Sequence, residues 1–209
     1  MKRTISVLLA MMLVLGCFCG VSFAEEDSFG IGDIGNNTYW NEQLSIGCIL
    51  DENWYFYSRE EILQLNGMTA DMLEGQLKQM MEDGGSMMDM YATHQVTGET
   101  VNVTLERLSV ANALLISEKK YCEIGVEPLV QGLTQIGFAD VEAEIGTMEF
   151  MGEEHACIRI SAQIEGIPFY ETMAVVKIGR TIALATAASA GEDNTENTLA
   201  NFFSELPKK

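Results

Sequence analysis

The chain has 209 residues, 31 of them acidic against 12 basic, for a net charge of −19 with both histidines neutral. This length suits one domain with a single core. A polyanion of this kind is repelled by nucleic acid and by anionic lipid or wall polymers, which excludes DNA, RNA and bare membrane surfaces as expected partners.

Lys2-Arg3 opens the chain with positive charge, Ile5 to Leu15 is an uninterrupted apolar run, and Gly16, Gly20, Ser22 and Ala24 make the remainder rich in small residues. That order is a secretory signal peptide over residues 1–24. Ser22-Phe23-Ala24 fits the small-x-small rule for cleavage, which would leave Glu25 as the new N-terminus. Two other readings stay open. Val14-Leu15-Gly16-Cys17 resembles a lipobox, in which Cys17 would be lipidated, and Ile5 to Ala24 is long enough to span a bilayer if left uncut. The expected localisation is secreted or extracellular, with lipid anchoring to the outer face of the cytoplasmic membrane as the alternative. Removal of residues 1–24 takes two basic and no acidic residues, leaving 10 basic against 31 acidic, or −21. It also removes two of the five cysteines, so Cys48, Cys122 and Cys157 remain, an odd count without Cys-x-x-Cys that makes no disulfide framework.

Residues 25–37 are rich in Gly, Asp and Asn and read as a flexible tether, with a single domain expected over 38–209. Leu44, Ile46, Cys48 and Leu50 alternate, Asp51-Glu52-Asn53 turns, and Trp54-Tyr55-Phe56-Tyr57 resumes with strong β formers, predicting a hairpin. Ser58 and Glu61 form a capping box for a short helix that stops at Gly67, and Thr69 to Glu82 predicts a second. Met88, Met90 and Ala92 alternate before Thr97-Gly98, and Val101, Val103 and Leu105 alternate after it, which predicts another hairpin.

Ser117 is placed to cap the longest helix, with Tyr121, Ile124, Leu129, Leu133 and Ile136 along it and Pro128 set to kink or divide it. Four strands follow, Val141 to Phe150, Ala156 to Ile164, Ile167 to Lys177 and Arg180 to Ala188, separated by turns at Gly152, Gly166 and Gly179, as a meander requires. Asp193 and Glu196 predict a capping box for a C-terminal helix bearing Leu199, Phe202, Phe203 and Leu206. The fold class is therefore α+β, an antiparallel sheet with helices packed on its faces.

Asn41 to Gly47 leading into Asp51-Glu52-Asn53-Trp54, then Ser58-Arg59-Glu60-Glu61, Tyr121 in the long helix, and Glu149-Phe150-Met151-Gly152-Glu153 before the meander together resemble small secreted bacterial proteins of the PsbP/DcrB-like type. The resemblance covers most of residues 39 to 206 in pattern. It implies an α/β/α sandwich with an antiparallel sheet, and an accessory or binding role with no catalytic set to carry over.

Four groups of residues are candidates for chemistry. Tyr39, Trp40, Trp54, Tyr55, Phe56 and Tyr57 sit on adjoining predicted strands, and of these Tyr39, Trp40, Trp54 and Tyr57 are the candidates for an aromatic platform that holds a ligand, against the alternative of core packing. Met87, Met88 and Met90 with His94 close a run of seven methionines from Met68, and clustered thioethers suit Cu(I), against adaptable packing. Glu153-Glu154-His155 is drawn as an acid/base or metal cluster, and Gly191 to Glu196 has the oxygen richness of a calcium loop without its spacing. The expected function is a non-enzymatic binding or accessory protein, with a methionine-based copper protein and an extracellular hydrolase as alternatives. No cofactor is expected, no catalytic residue is assigned, and the partner is an extracellular protein or small molecule, with a membrane reached only through the signal or a lipid anchor.

Overall fold

Extended backbone begins earlier than the glycine content suggests. In the computed structural model, which describes residues 30–67 and 85–205, β1 (Asp33–Gly35) pairs antiparallel with β2 (Thr38–Asn41). Residues 33–35 of the expected tether are thus a strand. One of its glycines serves close approach: a Cβ added at Gly32 would fall 2.3 Å from the Tyr39 ring. The segment read as a signal peptide, with Cys17, Ala24 and Glu25, and the helix expected from Thr69 to Glu82 lie outside the described residues.

β3 (Ile46–Ile49) pairs with β2, but the hairpin expected between it and β4 (Trp54–Phe56) does not form. Asp51 organises a turn instead, its carbonyl accepting from Trp54 N at 3.2 Å and its carboxylate from Asn53 N at 2.8 Å. The turn carries the chain out of one sheet and into another, where β4 pairs with β5 (Ser86–His94). Between them stands α1 (Arg59–Leu65), which begins at the expected box: Ser58 Oγ accepts from Glu61 N, and Glu61 accepts from Ser58 N at 2.8 Å. Gly67 ends it at a φ of +71°, a left-handed value that glycine adopts without a Cβ penalty.

The second hairpin forms as β5 and β6 (Thr100–Arg107), with a bulge at Asp89 between Met88 and Met90. A short helix not read from the sequence, α2 (Val110–Leu115), precedes α3 (Glu118–Gln135), whose cap Ser117 accepts from Lys120 N. Pro128 does not divide α3. The carbonyl it leaves unpaired belongs to Ile124, which is 36% exposed and within reach of water. Tyr121, Cys122, Leu129 and Leu133 form its inner face, so Ile124 is displaced from the stripe expected for it.

The meander forms as β7 (Ala139–Phe150), β8 (Glu153–Ile164), β9 (Ile167–Ile178) and β10 (Thr181–Ala190). Its first two turns place consecutive residues, Met151-Gly152 and Glu165-Gly166, at positive φ, the backbone that matches strand twist in two-residue hairpins. α4 (Thr195–Leu199) is only one turn and a half, and Asp193 accepts from Thr195 N and Oγ1 rather than forming a box with Glu196. The expected helix then gives way to β11 (Phe202–Phe203), paired with Cys48 and Gly47 of β3.

The chain is thus α+β with antiparallel sheets, but its strands form two sheets where one was expected: β1-β2-β3-β11 and β4-β5-β6-β10-β9-β8-β7. A core between them holds Tyr39, Cys48, Val103, Phe150, Ala185 and Phe202 among others. On the other side of the large sheet α3 packs against β7, β8 and β9, with Leu129 and Leu133 meeting Ile158, Ile160 and Phe169. Complete burial of each such side chain contributes about 1.5–3 kcal/mol.

Candidate functional site

The bulge at Asp89 decides the fate of the methionine group. In an unbroken strand Met88, Met90 and Ala92 would share a face, but the extra residue shifts the phase. Met87, Met90 and Ala92 enter the core between the sheets, while Met88 packs with Ile62 and Tyr91. The His94 ring stands perpendicular to Trp54 with centroids 5.2 Å apart and accepts from Thr97 N at 3.1 Å. The four candidates are therefore not brought to one point, and among the described residues no group of three or more His, Cys, Asp or Glu is placed to hold a metal.

The aromatic candidates also separate. Tyr39 is fully buried and donates to Asp89 Oδ2 at 2.7 Å, and its own proton is held more firmly than usual by burial and by that carboxylate. Trp54 is buried in the same core, whereas Trp40 stacks on Phe203 with ring centroids 5.8 Å apart. Tyr57 is the only one of the four to keep company outside that core and the small sheet, lying 5.2 Å from Tyr55 and 4.6 Å from Tyr91, ring to ring.

His155 does not pair with Glu153 or Glu154. Its Nδ1 lies 3.0 Å from Glu118 at the start of α3, and the same carboxylate accepts from Lys177 N and Ala156 N. The group fastens the helix start to β8 and β9. The Gly191 to Glu196 segment is accounted for by the Asp193 turn and by Asn194 donating to Glu99.

What the sequence reading missed lies on the α3 side of the large sheet, beyond the helix. Side chains directly opposite in an antiparallel pair share a face. One row crosses the sheet as Tyr55, Thr93, Thr100, Ala188 and Glu171, and the next as Tyr91, Asn102, Thr186 and Met173. The intervening Val101, Val103 and Leu105 point the other way, into the core between sheets. Half of this face is apolar beneath α3, and the other half is a lane of hydroxyl, amide and carboxyl groups.

The lane is incompletely satisfied. Thr93 Oγ1 is buried and makes no hydrogen bond of good geometry among the described residues, the Tyr91 hydroxyl being a polar neighbour whose charged form it favours. Glu171 is 6% exposed, and burial pushes its carboxyl up to about 7. Between these groups stand Thr100 and the small Ala188, over a span of three strand spacings, about 14 Å. At one margin Tyr55 is 46% exposed and donates to Glu61 at 3.0 Å. At the other, Tyr121 of α3 donates to Glu106, whose carboxyl burial pushes up. The lane thus sets Glu171, Asn102 and the threonines as buried polar groups beside the aromatic margin of Tyr55 and Tyr57, with Asn102 Oδ1 accepting from Thr104 at 3.2 Å. The signal available in the sequence was the run Thr100, Asn102, Thr104, Glu106, polar at every second position of a buried strand.

Compared with known proteins, the chain matches no family model and no curated protein.

Proposed function

We propose that this chain is a secreted or cell-surface, non-enzymatic binding or accessory protein that holds a small polar molecule against the lane. The observation that carries this reading is the placement of Thr93 Oγ1, which has no hydrogen-bond partner of good geometry among the described residues, and of the buried Glu171 carboxyl, whose charged form burial disfavours, in one row with Thr100 between them. Leaving a buried polar group unpaired costs about 1–3 kcal/mol, and a ligand carrying hydrogen-bond donors, such as an amine or amide, would recover that cost. The PsbP/DcrB-like resemblance and a sheet covered by helices on its face belong to the same proposal, and the α+β class with antiparallel sheets supports them.

Native mass spectrometry of the exported protein tests the reading. A bound molecule of a few hundred daltons is expected on the wild type and is lost from Glu171→Leu and Asn102→Leu. Equal occupancy in wild type and both variants would sink it.

A further inference from the structure

The basic residues of this acidic chain are not spread evenly. Of the seven lysines and arginines among the described residues, only Arg59 and Arg159 lie away from the segment joining β6 to α3. Arg107 closes β6, and Arg180 Nε donates to Leu108 O at 3.2 Å. Lys177 Nζ donates to the carbonyls of Ala113 and Ile116, at the last turn of α2. Lys119 and Lys120 open α3 on the other side, exposed. Of the acids nearby, Glu118 turns inward to His155, Ala156 N and Lys177 N, and Glu106 is buried with Tyr121, whereas Glu123 pairs with Lys120 at 3.1 Å in an exposed ion pair, weak enough for a lipid phosphate to compete for the lysine.

Arg107 is buried and Lys177 and Arg180 hold carbonyls, so Lys119 and Lys120 are the exposed cations of the group, and beside them stands α2, which buries none of its residues. Leu114 is 82% exposed, Leu115 78% and Val110 46%. Scattered single apolar residues on a surface are ordinary, but three on one six-residue helix, with two adjacent leucines almost wholly in water, are a contiguous apolar tip. Ser109 caps the helix by accepting from Asn112 N, and the Lys177 bonds close its end, so the tip is presented on a fixed support.

We propose that α2 is a membrane-docking tip for an anionic lipid surface, with Leu114 and Leu115 entering the acyl boundary and Lys119 and Lys120 meeting lipid phosphates. Apolar side chains ringed by lysine are the arrangement by which interfacial helices lie on membranes. The chain's overall charge argues for repulsion, but beyond about 8–10 Å distant charges are screened at physiological salt, so the local field at the tip governs contact. This inference goes beyond the ligand lane and does not depend on it.

Vesicle co-sedimentation of the exported protein carrying Cys17→Ala, so that no acyl chain contributes, tests the proposal. Vesicles of phosphatidylcholine with 30% phosphatidylglycerol, at about 0.1 M salt where screening is moderate, are compared with phosphatidylcholine alone. Binding is expected on the anionic vesicles and at least tenfold weaker on the neutral ones. Leu114→Ser with Leu115→Ser, and separately Lys119→Glu with Lys120→Glu, each lower it at least tenfold with circular dichroism unchanged. Leu115→Trp retains binding and its emission shifts to the blue on the anionic vesicles. No binding to the anionic vesicles, equal binding to the neutral ones, or binding indifferent to the serine pair overturns the proposal. So does a concentration-dependent dimer that the serine pair abolishes, because the tip would then belong to a second copy.

Discussion

Arg59 Nη1 lies 3.0 Å from Asp89 Oδ1 and donates also to the Asp89 backbone carbonyl at 2.8 Å, so one guanidinium holds both the side chain and the main chain of the bulge in β5. Asp89 is wholly buried, and its oxygens accept in addition from Gly32 N, Tyr39 Oη and Asn41 Nδ2. A single carboxylate thereby joins α1, β2, β5 and the chain before β1. Asp89→Ala strands the cation and three donors, and breaking a buried pair in this way costs about 3–5 kcal/mol. Urea unfolding measures the loss. A cost under 1 kcal/mol would show that these contacts are replaced by water.

How far the fold could be read depends on the range of the interaction. Ser58 with Glu61, and the turns at Gly152 and Gly166, are set by residues within four positions of one another, and each lies where alternation and capping rules place it. The departure of β4 from β3, the pairing of β10 with β6, and Phe202 joining β3 depend on partners dozens of residues away, which periodicity does not encode. Asp89 misled the reading most, because one inserted residue exchanges the faces of everything after it while leaving the apolar pattern looking regular. The polar lane escaped for a related reason. Thr93, Thr100, Thr186 and Glu171 belong to four strands, and only the register of those strands brings them together on one face in two neighbouring rows.

Gly47 lies between two rings. Trp40 and Phe203 flank it on the neighbouring strands and stack over it, and an added Cβ would stand 2.3 Å from Phe203 Cε2 and 2.8 Å from Trp40 Cε3. Gly47→Ala forces the rings apart and costs about 1–3 kcal/mol, as overpacking does. The loss is expected to concentrate at β11, a two-residue strand with little else to hold it in register. Amide exchange of residues 201–203 should therefore accelerate more than that of β8 or β9, and Gly47→Ala combined with Phe203→Ala should cost less than the sum of the two. Uniform acceleration would place the strain elsewhere.

Among the described residues Cys48, Cys122 and Cys157 are buried free thiols. Burial pushes Cys122 up to about 12 and also raises Cys48 and Cys157, which disfavours the thiolate, the reactive form. Under native conditions at pH 8 a thiol-titrating reagent should find none of Cys48, Cys122 and Cys157, and in denaturant it should find all three. Reductant should leave the melting temperature unchanged. A thiol count in denaturant that rises only after reduction would reveal a disulfide.

Glu171 makes stability depend on pH in an uncommon direction. Its folded value, about 7, lies above the 4.5 of a free glutamate, so the folded chain binds the proton more tightly than the unfolded one. Stability is therefore favoured below pH 4.5, falls as the pH rises through the interval from 4.5 to 7, and carries the full penalty above 7. The size of the gap corresponds to about 3 kcal/mol for a wholly buried group. Glu171→Gln keeps the shape and removes the ionisation. At pH 8 it should stabilise the ligand-free protein by about 3 kcal/mol, a rise in melting temperature on the order of 6–12 °C for a chain of this size. At pH 4.5 the two proteins should melt together. The same substitution should weaken any amine held in the lane, since the carboxylate that an ammonium group would satisfy is gone, so stabilisation without ligand and loss of binding with it are expected from one change. Equal stabilisation at both pH values would mean that packing, not ionisation, separates the two side chains.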